Sequence, residues 1–248
     1  MNQTKIDYVD ASWNPVTGCT DELPCWSYCW ARKMATRLRG RCGYDAMEPF
    51  KPTFHRDRLV EPAGMKKSRR IAVCFMGDLW HTGVKVADRA AVIRATNLAP
   101  QHTYLFLTKR VERAAEEINW LASPNLWIGT SIANQREANK RVYHLLRCEA
   151  LHRWLSIEPM NGPIDLHGGP VPKWWNWNGG IDWVVLGGGP FPIHPRWVRL
   201  VRDQCQAAGV AFWFKQWGNF TAMGTRVGKK AAGNLLDGRE WHEVPKGI

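Results

Sequence analysis

The sequence has no apolar run long enough to cross a lipid bilayer. A membrane-spanning helix needs about 20 consecutive apolar residues, whereas this chain of 248 residues, with 45% hydrophobic and 23% charged residues, has the composition of a globular protein. Residues 1–10 also lack the basic and apolar segments of a secretory signal. These absences argue against a membrane protein, and we expect a cytoplasmic one.

Acidic residues are fewer than basic ones, and the cysteines are not even in number. The chain has 22 Asp and Glu against 34 Lys and Arg, which gives a net charge of +12. Such a positive field attracts polyanions such as nucleic acid, although a basic, solvated surface is the alternative. The seven cysteines are an odd number in a chain without a secretory signal, so a disulfide framework is not expected. The composition therefore predicts a nucleic acid or nucleotide partner and reduced thiols that bind a metal or cluster.

Short apolar segments rich in β-branched and aromatic residues alternate with stretches of helical periodicity. Such apolar segments are typical of strands buried on both faces. The predicted strands are 11–17, 71–76, 103–107, 126–129, 154–157, 182–186 and 210–214, and the predicted helices are 86–98, 111–121, 135–146 and 195–208. The alternation predicts an α/β fold, a TIM-like partial (β/α) barrel of about seven β/α units. A doubly wound sheet stays open, because one sequence does not reveal the strand order.

Two stretches interrupt this alternation inside a barrel that we assign to residues 1–217. Residues 37–70 are basic and contain proline, and they read as an insertion over one rim. Residues 164–180 are dense in Gly, Pro and Trp, and they predict either a lid or an irregular packing element. Residues 218–248 are predicted to form a C-terminal extension packed on the barrel.

Three cysteines lie within the first 29 residues. Cys19, Cys25 and Cys29 have the spacing C-x5-C-x3-C, between the first predicted strand and a helix that begins near Trp30. Three thiolates can bind three irons of a four-iron four-sulfur cluster and leave the fourth iron open. A structural zinc site would need a fourth protein ligand, and Cys42 is far along the chain, so zinc is the alternative.

Five segments carry a resemblance to a known family. They are WNPVTGC at 13–19, GDLWH at 77–81, LTKR at 107–110, SIEP at 156–159 and FKQWG at 214–218. On these segments, which are spread over nearly the whole chain, the sequence resembles the phage three-cysteine-motif family of radical S-adenosylmethionine (SAM) proteins, distantly similar to spore photoproduct lyase. That family usually has two residues between its last two cysteines, whereas three intervene here.

The resemblance implies a 4Fe-4S cluster on the three cysteines and a bound SAM, from which an electron releases a 5'-deoxyadenosyl radical that abstracts a substrate hydrogen. It implies an electron donor such as flavodoxin or ferredoxin, a DNA or nucleotide substrate and, for a phage protein, the host cytoplasm. The implied reaction is an isomerisation that moves an amino-acid adduct of a 5-substituted thymine from a nitrogen to a carbon link, as a protection of phage DNA against host nucleases. A thymine-adduct repair lyase and a zinc-containing nucleic-acid-binding module are the alternatives.

Polar residues follow the predicted strands, where a barrel places its reactive groups. The residues expected to bind the cofactor are Gly77, Asp78, Lys109, Ser131 and Glu158. Ser131 has helix capping as its alternative, and a run of glycines at 187–189 permits close approach of a ligand or makes a turn.

The residues expected to bind the substrate are Arg110, Lys215, Gln216 and Trp217. Positive charge at the start of a helix opposes the helix dipole, which favours an anion-binding role for Lys109 and Arg110. A lysine beside an aromatic residue suits a nucleobase and its phosphate. His81 is assigned a structural role, and no catalytic acid or base is identified.

Overall fold

The computed structural model describes residues 2–20, 24–117, 123, 125–166 and 180–246. The chain divides into two compact units, Met1–Trp127 and Ile128–Ile248. No helix in these described ranges is both long enough and apolar enough to cross a membrane.

The first unit combines short strands with three α-helices and three 3-10 helices. Its strands are β1 (Asn2–Gln3), β2 (Ala11–Trp13), β3 (Val16–Thr17), β4 (Thr53–Phe54), β5 (Arg70–Val73) and β6 (Thr103–Thr108). Its α-helices are α1 (Trp30–Arg37), α2 (Val86–Asn97) and α3 (Val111–Glu117), and its 3-10 helices are Pro24–Tyr28, Arg56–Val60 and Pro62–Gly64.

The second unit continues the alternation of strand and helix. Strand β7 (Leu126–Ser131) crosses the boundary between the units. The remaining elements are α4 (Gln135–Arg147), β8 (His152–Ile157), β9 (Trp183–Gly187), α5 (Pro195–Ala208), β10 (Ala211–Gln216) and α6 (Lys229–Ala232).

The strands of the main sheet follow one another in chain order, β1-β2-β5-β6-β7-β8-β9-β10. Within the first unit β2, β5 and β6 pair in parallel, and within the second β8, β9 and β10 do so, while β1 is antiparallel to β2. A doubly wound sheet requires a reversal of strand order, which this sheet lacks. The predicted α/β class and the order of a TIM-like partial (β/α) barrel, with seven strands after β1, are therefore confirmed.

The strands are apolar because they are covered on both faces. Every residue of β7 and β9 is buried, and so is every residue of β8 after the first. Helix α4 buries one stripe, because Ala138, Val142 and Leu145 are buried at spacings of four and three residues. This combination is what the sequence pattern predicted.

The predicted first strand, 11–17, is wrong as a continuous strand. β2 ends at Trp13, and β3 pairs with β4 in a separate two-stranded antiparallel sheet. Pro15 lies between β2 and β3 and has no N–H to donate to a ladder, whereas its carbonyl accepts a hydrogen bond from the His55 N–H at 2.7 Å.

The predicted strand 71–76 is likewise too long at its end. β5 ends at Val73, and the next residue, Cys74, has a left-handed φ of 58° that no strand accommodates. The chain turns there so that the Gly77 N–H donates to the Cys74 carbonyl at 2.9 Å. This turn brings residues 77–78 to the carboxyl end of β5.

The two predicted interruptions differ in what the structure describes. Residues 37–70 contain β4 and two of the 3-10 helices. Residues 167–179 lie outside the described residues, and they include Trp174, Trp175 and Trp177 of the segment predicted to be a lid or an irregular packing element. After β10 the chain contacts that strand again, because the Phe214 N–H donates to the Trp241 carbonyl at 2.8 Å.

Candidate functional site

In the first unit, Asp78 connects the carboxyl ends of β5 and β6. Its side chain is buried, and one carboxylate oxygen accepts hydrogen bonds from the Thr108 hydroxyl at 2.7 Å and the Trp80 N–H at 3.1 Å. The other oxygen accepts from the Arg110 guanidinium at 3.1 Å and the Lys109 N–H at 3.3 Å. Both oxygens therefore have protein donors, and the carboxylate fixes the two strand ends relative to each other.

Arg110 links this carboxylate to the first cysteine of the motif. The same guanidinium nitrogen that binds Asp78 lies 3.5 Å from the Cys19 sulfur, and the side chain is only 10% exposed. Burial raises the pKa of the Cys19 thiol, while the hydrogen bond from Arg110 lowers it. The structure thus places Arg110, which was predicted to bind substrate, between a carboxylate and a thiol.

The motif cysteines differ from the other buried thiols in their exposure. Cys19, Cys25 and Cys29 are half-buried, and none of them forms a disulfide. The buried thiols are Cys74, Cys148 and Cys205, and burial raises the pKa of Cys74 and Cys148 to about 12 and raises that of Cys205 as well. The motif cysteines are accessible to a ligand in a way that the core cysteines are not.

The three motif sulfurs are not gathered into a ligand set. In the part of the chain that the structure describes, no three His, Cys, Asp or Glu side chains come close enough to hold one metal ion. Cys19 and Cys29 pack against one apolar cluster, whose buried members are Ala31, Ala35, Tyr44, Phe50 and Met76. Residues 21–23 of the same loop lie outside the described residues, and the convergence of all three sulfurs stays a prediction.

His81 supports the loop that carries Cys19. Its Nδ1 accepts from the Gly83 N–H at 2.9 Å, which leaves the proton on Nε2 to donate to the Thr20 hydroxyl at 2.9 Å. The ring is 3% exposed. Both nitrogens are bonded, as a structural histidine requires.

The second unit has its own polar cluster at the carboxyl ends of β8 and β10. The Glu158 carboxylate accepts from the Lys215 ammonium at 2.8 and 3.0 Å and from the Gln216 amide at 3.2 Å. The Lys215 side chain is 11% exposed and that of Glu158 25%. Glu158 and Lys215, which were predicted to bind cofactor and substrate, are thus one ion pair.

A β-bulge explains how adjacent residues of one strand reach the same carboxylate. Side chains of a regular strand alternate between faces, but the register of β10 against β9 shifts between Phe214 and Gln216. A bulge of this kind re-aims a side chain. Lys215 and Gln216 therefore both contact Glu158.

The glycines that end β9 make room for this cluster. A Cβ on Gly187 would lie 3.2 Å from a Glu158 carboxylate oxygen, and one on Gly188 would lie 2.0 Å from the Trp217 carbonyl oxygen. The glycine run therefore permits the ends of β8, β9 and β10 to approach one another closely.

The remaining predicted residues of the second unit are tied into the protein. Trp217 is 4% exposed, packs edge-on against Phe214 and donates its ring N–H to the Leu235 carbonyl at 2.9 Å. This burial does not support the predicted stacking of a base on Trp217. Ser131 is buried at the end of β7, and it is Asn134 that caps α4, by accepting from the Glu137 N–H at 3.1 Å.

The comparisons with known proteins identify a family but no activity. A family model described as "Protein of unknown function (DUF5131)" matches residues 3–245. The chain belongs to the DUF5131 family. Searches of curated proteins and of solved structures found no match. The DUF5131 match extends over both units, so the two clusters belong to one family sequence.

Two residues of this DUF5131 chain that hold Asp78 and His81 in place were not predicted from its sequence. Thr108 binds Asp78, and Thr20 binds His81. The sequence signals for Thr108 were its place in the LTKR segment and its position as a polar residue at the end of an apolar strand. Thr20 gave no signal beyond its position next to Cys19.

Proposed function

We propose that this DUF5131 protein is a radical SAM enzyme that acts on a modified thymine in DNA. The observation that carries the proposal is the set of three half-buried, reduced cysteines after the first parallel strand, with Cys19 in contact with Arg110. Gly18 forms a parallel bridge to Gly77, which puts Cys19 at the carboxyl ends of the strands. Reactive groups of (β/α) barrels lie at that edge.

The donor set fits a 4Fe-4S cluster in kind and number. Three thiolates are the ligands that such a cluster takes when one iron is left open. Because the three thiols are only half-buried, a cluster can contact them. Metal binding is coupled to the ordering of its ligands, so the sulfurs of Cys19, Cys25 and Cys29 are expected to come together when the cluster is assembled. The bound cluster and SAM would together supply homolytic hydrogen abstraction, which closed-shell side chains do not supply.

The residues of the first unit have distinct tasks in this proposal. Cys19, Cys25 and Cys29 hold the cluster. Arg110 donates a hydrogen bond to the Cys19 sulfur and is held in place by Asp78, and a cation beside a thiolate stabilises its negative charge. Lys109 is half-buried, and its cationic side chain is suited to bind a carboxylate or phosphate.

The pair of Glu158 and Lys215 is suited to polar recognition of a substrate. A paired lysine keeps its charge and a fixed position, and it can contact a phosphate or a carbonyl oxygen. The net charge of +12 favours a polyanionic substrate. We assign the reaction as an isomerisation of a 5-substituted thymine, in which an amino-acid adduct changes from a nitrogen to a carbon link.

The test is anaerobic reconstitution with iron and sulfide, followed by a chemical reductant, SAM and DNA that carries the modified thymine. We expect 5'-deoxyadenosine and a base of unchanged mass with a carbon-linked adduct, measured by mass spectrometry of digested DNA. Unmodified thymine as the product would identify a repair lyase instead. Failure to cleave SAM would reject the enzyme assignment.

A matched pair of cysteine variants tests the ligand assignment. Cys25→Ala is expected to abolish SAM cleavage while leaving DNA affinity and its salt dependence unchanged, because the cluster and the basic surface are separate features. Cys42→Ala, at an exposed cysteine outside the motif, is expected to retain cleavage. Cleavage by Cys25→Ala would remove that residue from the ligand set.

A further inference from the structure

Helix α1 buries its small apolar residues and exposes its large ones, which is the reverse of what the hydrophobic effect favours. The small residues Ala31 and Ala35 are buried, 3% and 0% exposed, against the apolar cluster of Tyr44, Phe50 and Met76. The large residues Trp30 and Met34 are 54% and 38% exposed. Exposed large apolar side chains next to one another mark a surface for a partner.

Cations lie on the same face of the helix. Lys33 and Arg37 follow Trp30 by three and seven residues, the spacing of one helical face, and both are exposed. Neither forms an ion pair with a carboxylate among the residues that the structure describes. Residues 24–44 of the sequence contain no Asp or Glu, so no acid of this segment neutralises them.

We propose that the exposed face of α1, formed by Trp30, Lys33, Met34 and Arg37, binds single-stranded DNA. The ring of Trp30 stacks on a base, and the two cations contact phosphates on either side, which is the combination that single-strand binding surfaces use. The choice of DNA rests on the proposed function, in which the target base must leave the duplex to be reached. An anionic membrane is disfavoured as the partner because the face is only eight residues long.

Binding is measured by fluorescence anisotropy with a labelled single strand of thymine-rich DNA and the full-length protein before cluster assembly. Trp30→Ala is expected to weaken binding about tenfold, since stacking is lost, and Trp30→Phe to retain most of it. Phe191, in the second unit, is also 54% exposed, and Phe191→Ala is the matched control that should bind normally. Equal affinities of wild type and Trp30→Ala would overturn the proposal.

A matched pair of double variants separates this face from diffuse positive charge. K33Q/R37Q removes one lysine and one arginine from α1, and K67Q/R69Q removes the same two charges from an exposed segment before β5. The first is expected to weaken binding at least tenfold and to lower the salt slope by about 1.4, the value for two phosphate contacts on a single strand. Equal losses in both double variants would overturn the proposal. The same variants are also tested for binding to anionic lipid vesicles, and a K33Q/R37Q protein that loses binding to vesicles but not to DNA would overturn the proposal as well.

The two proposals fail in different measurements. Absence of SAM cleavage with intact, Trp30-dependent DNA binding would reject the enzyme and leave the α1 surface standing. If SAM is cleaved and DNA binding does not depend on Trp30, Lys33 and Arg37, the α1 surface is rejected and the enzyme assignment is retained. Unchanged thermal unfolding of each variant shows that the fold is retained.

Discussion

Asp78 and Glu158 each hold a cation at the end of a strand, Arg110 in the first unit and Lys215 in the second. A buried charge that loses its partner is strongly destabilising, because its desolvation is no longer offset. The buried Asp78 carboxylate therefore contributes to stability as well as to the proposed site, and the partly exposed Glu158 carboxylate contributes less to stability.

Arg110→Met is expected to lower the free energy of unfolding by roughly 3 kcal/mol, because it leaves the Asp78 carboxylate buried without its cation. The measurement is urea unfolding of the protein without a cluster. Lys109→Met removes the same charge from the neighbouring, half-buried position and is expected to change stability by less than about 0.5 kcal/mol. Equal effects of the two substitutions would show that Arg110 and Asp78 are not coupled.

His55 gives the fold a pH dependence. The ring is 7% exposed and its Nε2 lies 2.8 Å from the Thr17 hydroxyl. Burial, followed by the nearby charge of Arg58, lowers the pKa of His55 to about 4. In the unfolded chain the His55 ring is protonated near pH 6.5, whereas in the folded chain it stays neutral until about pH 4. The free energy of unfolding therefore falls as the pH is lowered from 6.5 to about 4.

The expected loss between pH 7.5 and pH 4.5 is up to about 3 kcal/mol in the free energy of unfolding from this residue alone. His55→Gln should remove that share of the pH dependence, and His144→Gln, a half-buried histidine of α4, should keep it. Urea unfolding at the two pH values gives the comparison. A steep pH dependence that persists in His55→Gln would contradict the assignment.

Single residues were predictable where they stand next to a recognisable strand end. Asp78, Glu158 and Lys215 were placed at strand ends in this way, because parallel strands have their carboxyl ends at one edge, and their roles stay predictions. Their pairing was not predictable: Asp78 and Arg110 are 32 positions apart, and Glu158 and Lys215 are 57 apart. The burial of Trp217 was not predictable because its aromatic character fits a core as well as a base.

At the scale of elements, the first parallel strands are joined by the close approach of two glycines. Gly18 and Gly77 form a parallel bridge beyond the ends of β2 and β5. A Cβ on Gly77 would lie 2.7 Å from both the N and the O of Gly18. Since Gly18 precedes Cys19, this contact sets where the cysteine loop begins.

Gly77→Ala is expected to lower the free energy of unfolding by about 2 kcal/mol, because backbone atoms must move to admit the methyl group. Gly64→Ala is the matched control, since a Cβ there has no atom within 4 Å, and it is expected to be neutral or slightly stabilising. Thermal or urea unfolding measures both. A stable Gly77→Ala protein would show that the two strand ends are not tightly joined.

Elements were predicted where burial on both faces or along one stripe leaves a periodic pattern. Helices α2, α4 and α5 and strands β6 to β10 were located within a few residues of their bounds. The pairing of β3 with β4 was missed, because two-residue strands leave no period. The early end of β5 was missed because the left-handed Cys74 is not marked by glycine.

At the scale of the whole molecule, the α/β class and the TIM-like partial barrel were predicted because right-handed β/α units in sequence lead to neighbouring strands, whereas the strand order that excludes a doubly wound sheet came from the structure. The DUF5131 match over residues 3–245 assigns the chain to one family. The 4Fe-4S cluster was predicted from the spacing of three cysteines and from a resemblance. In the part of the chain that the structure describes, these cysteines are not close enough together to hold one metal ion.

The most direct test of this account is the iron and acid-labile sulfide content of anaerobically reconstituted protein. Wild type and Cys42→Ala are expected to hold about four iron and four sulfide per chain, and the triple variant C19A/C25A/C29A is expected to hold neither. Iron and sulfide retained by the triple variant, or zinc in place of iron in the wild type, would contradict it.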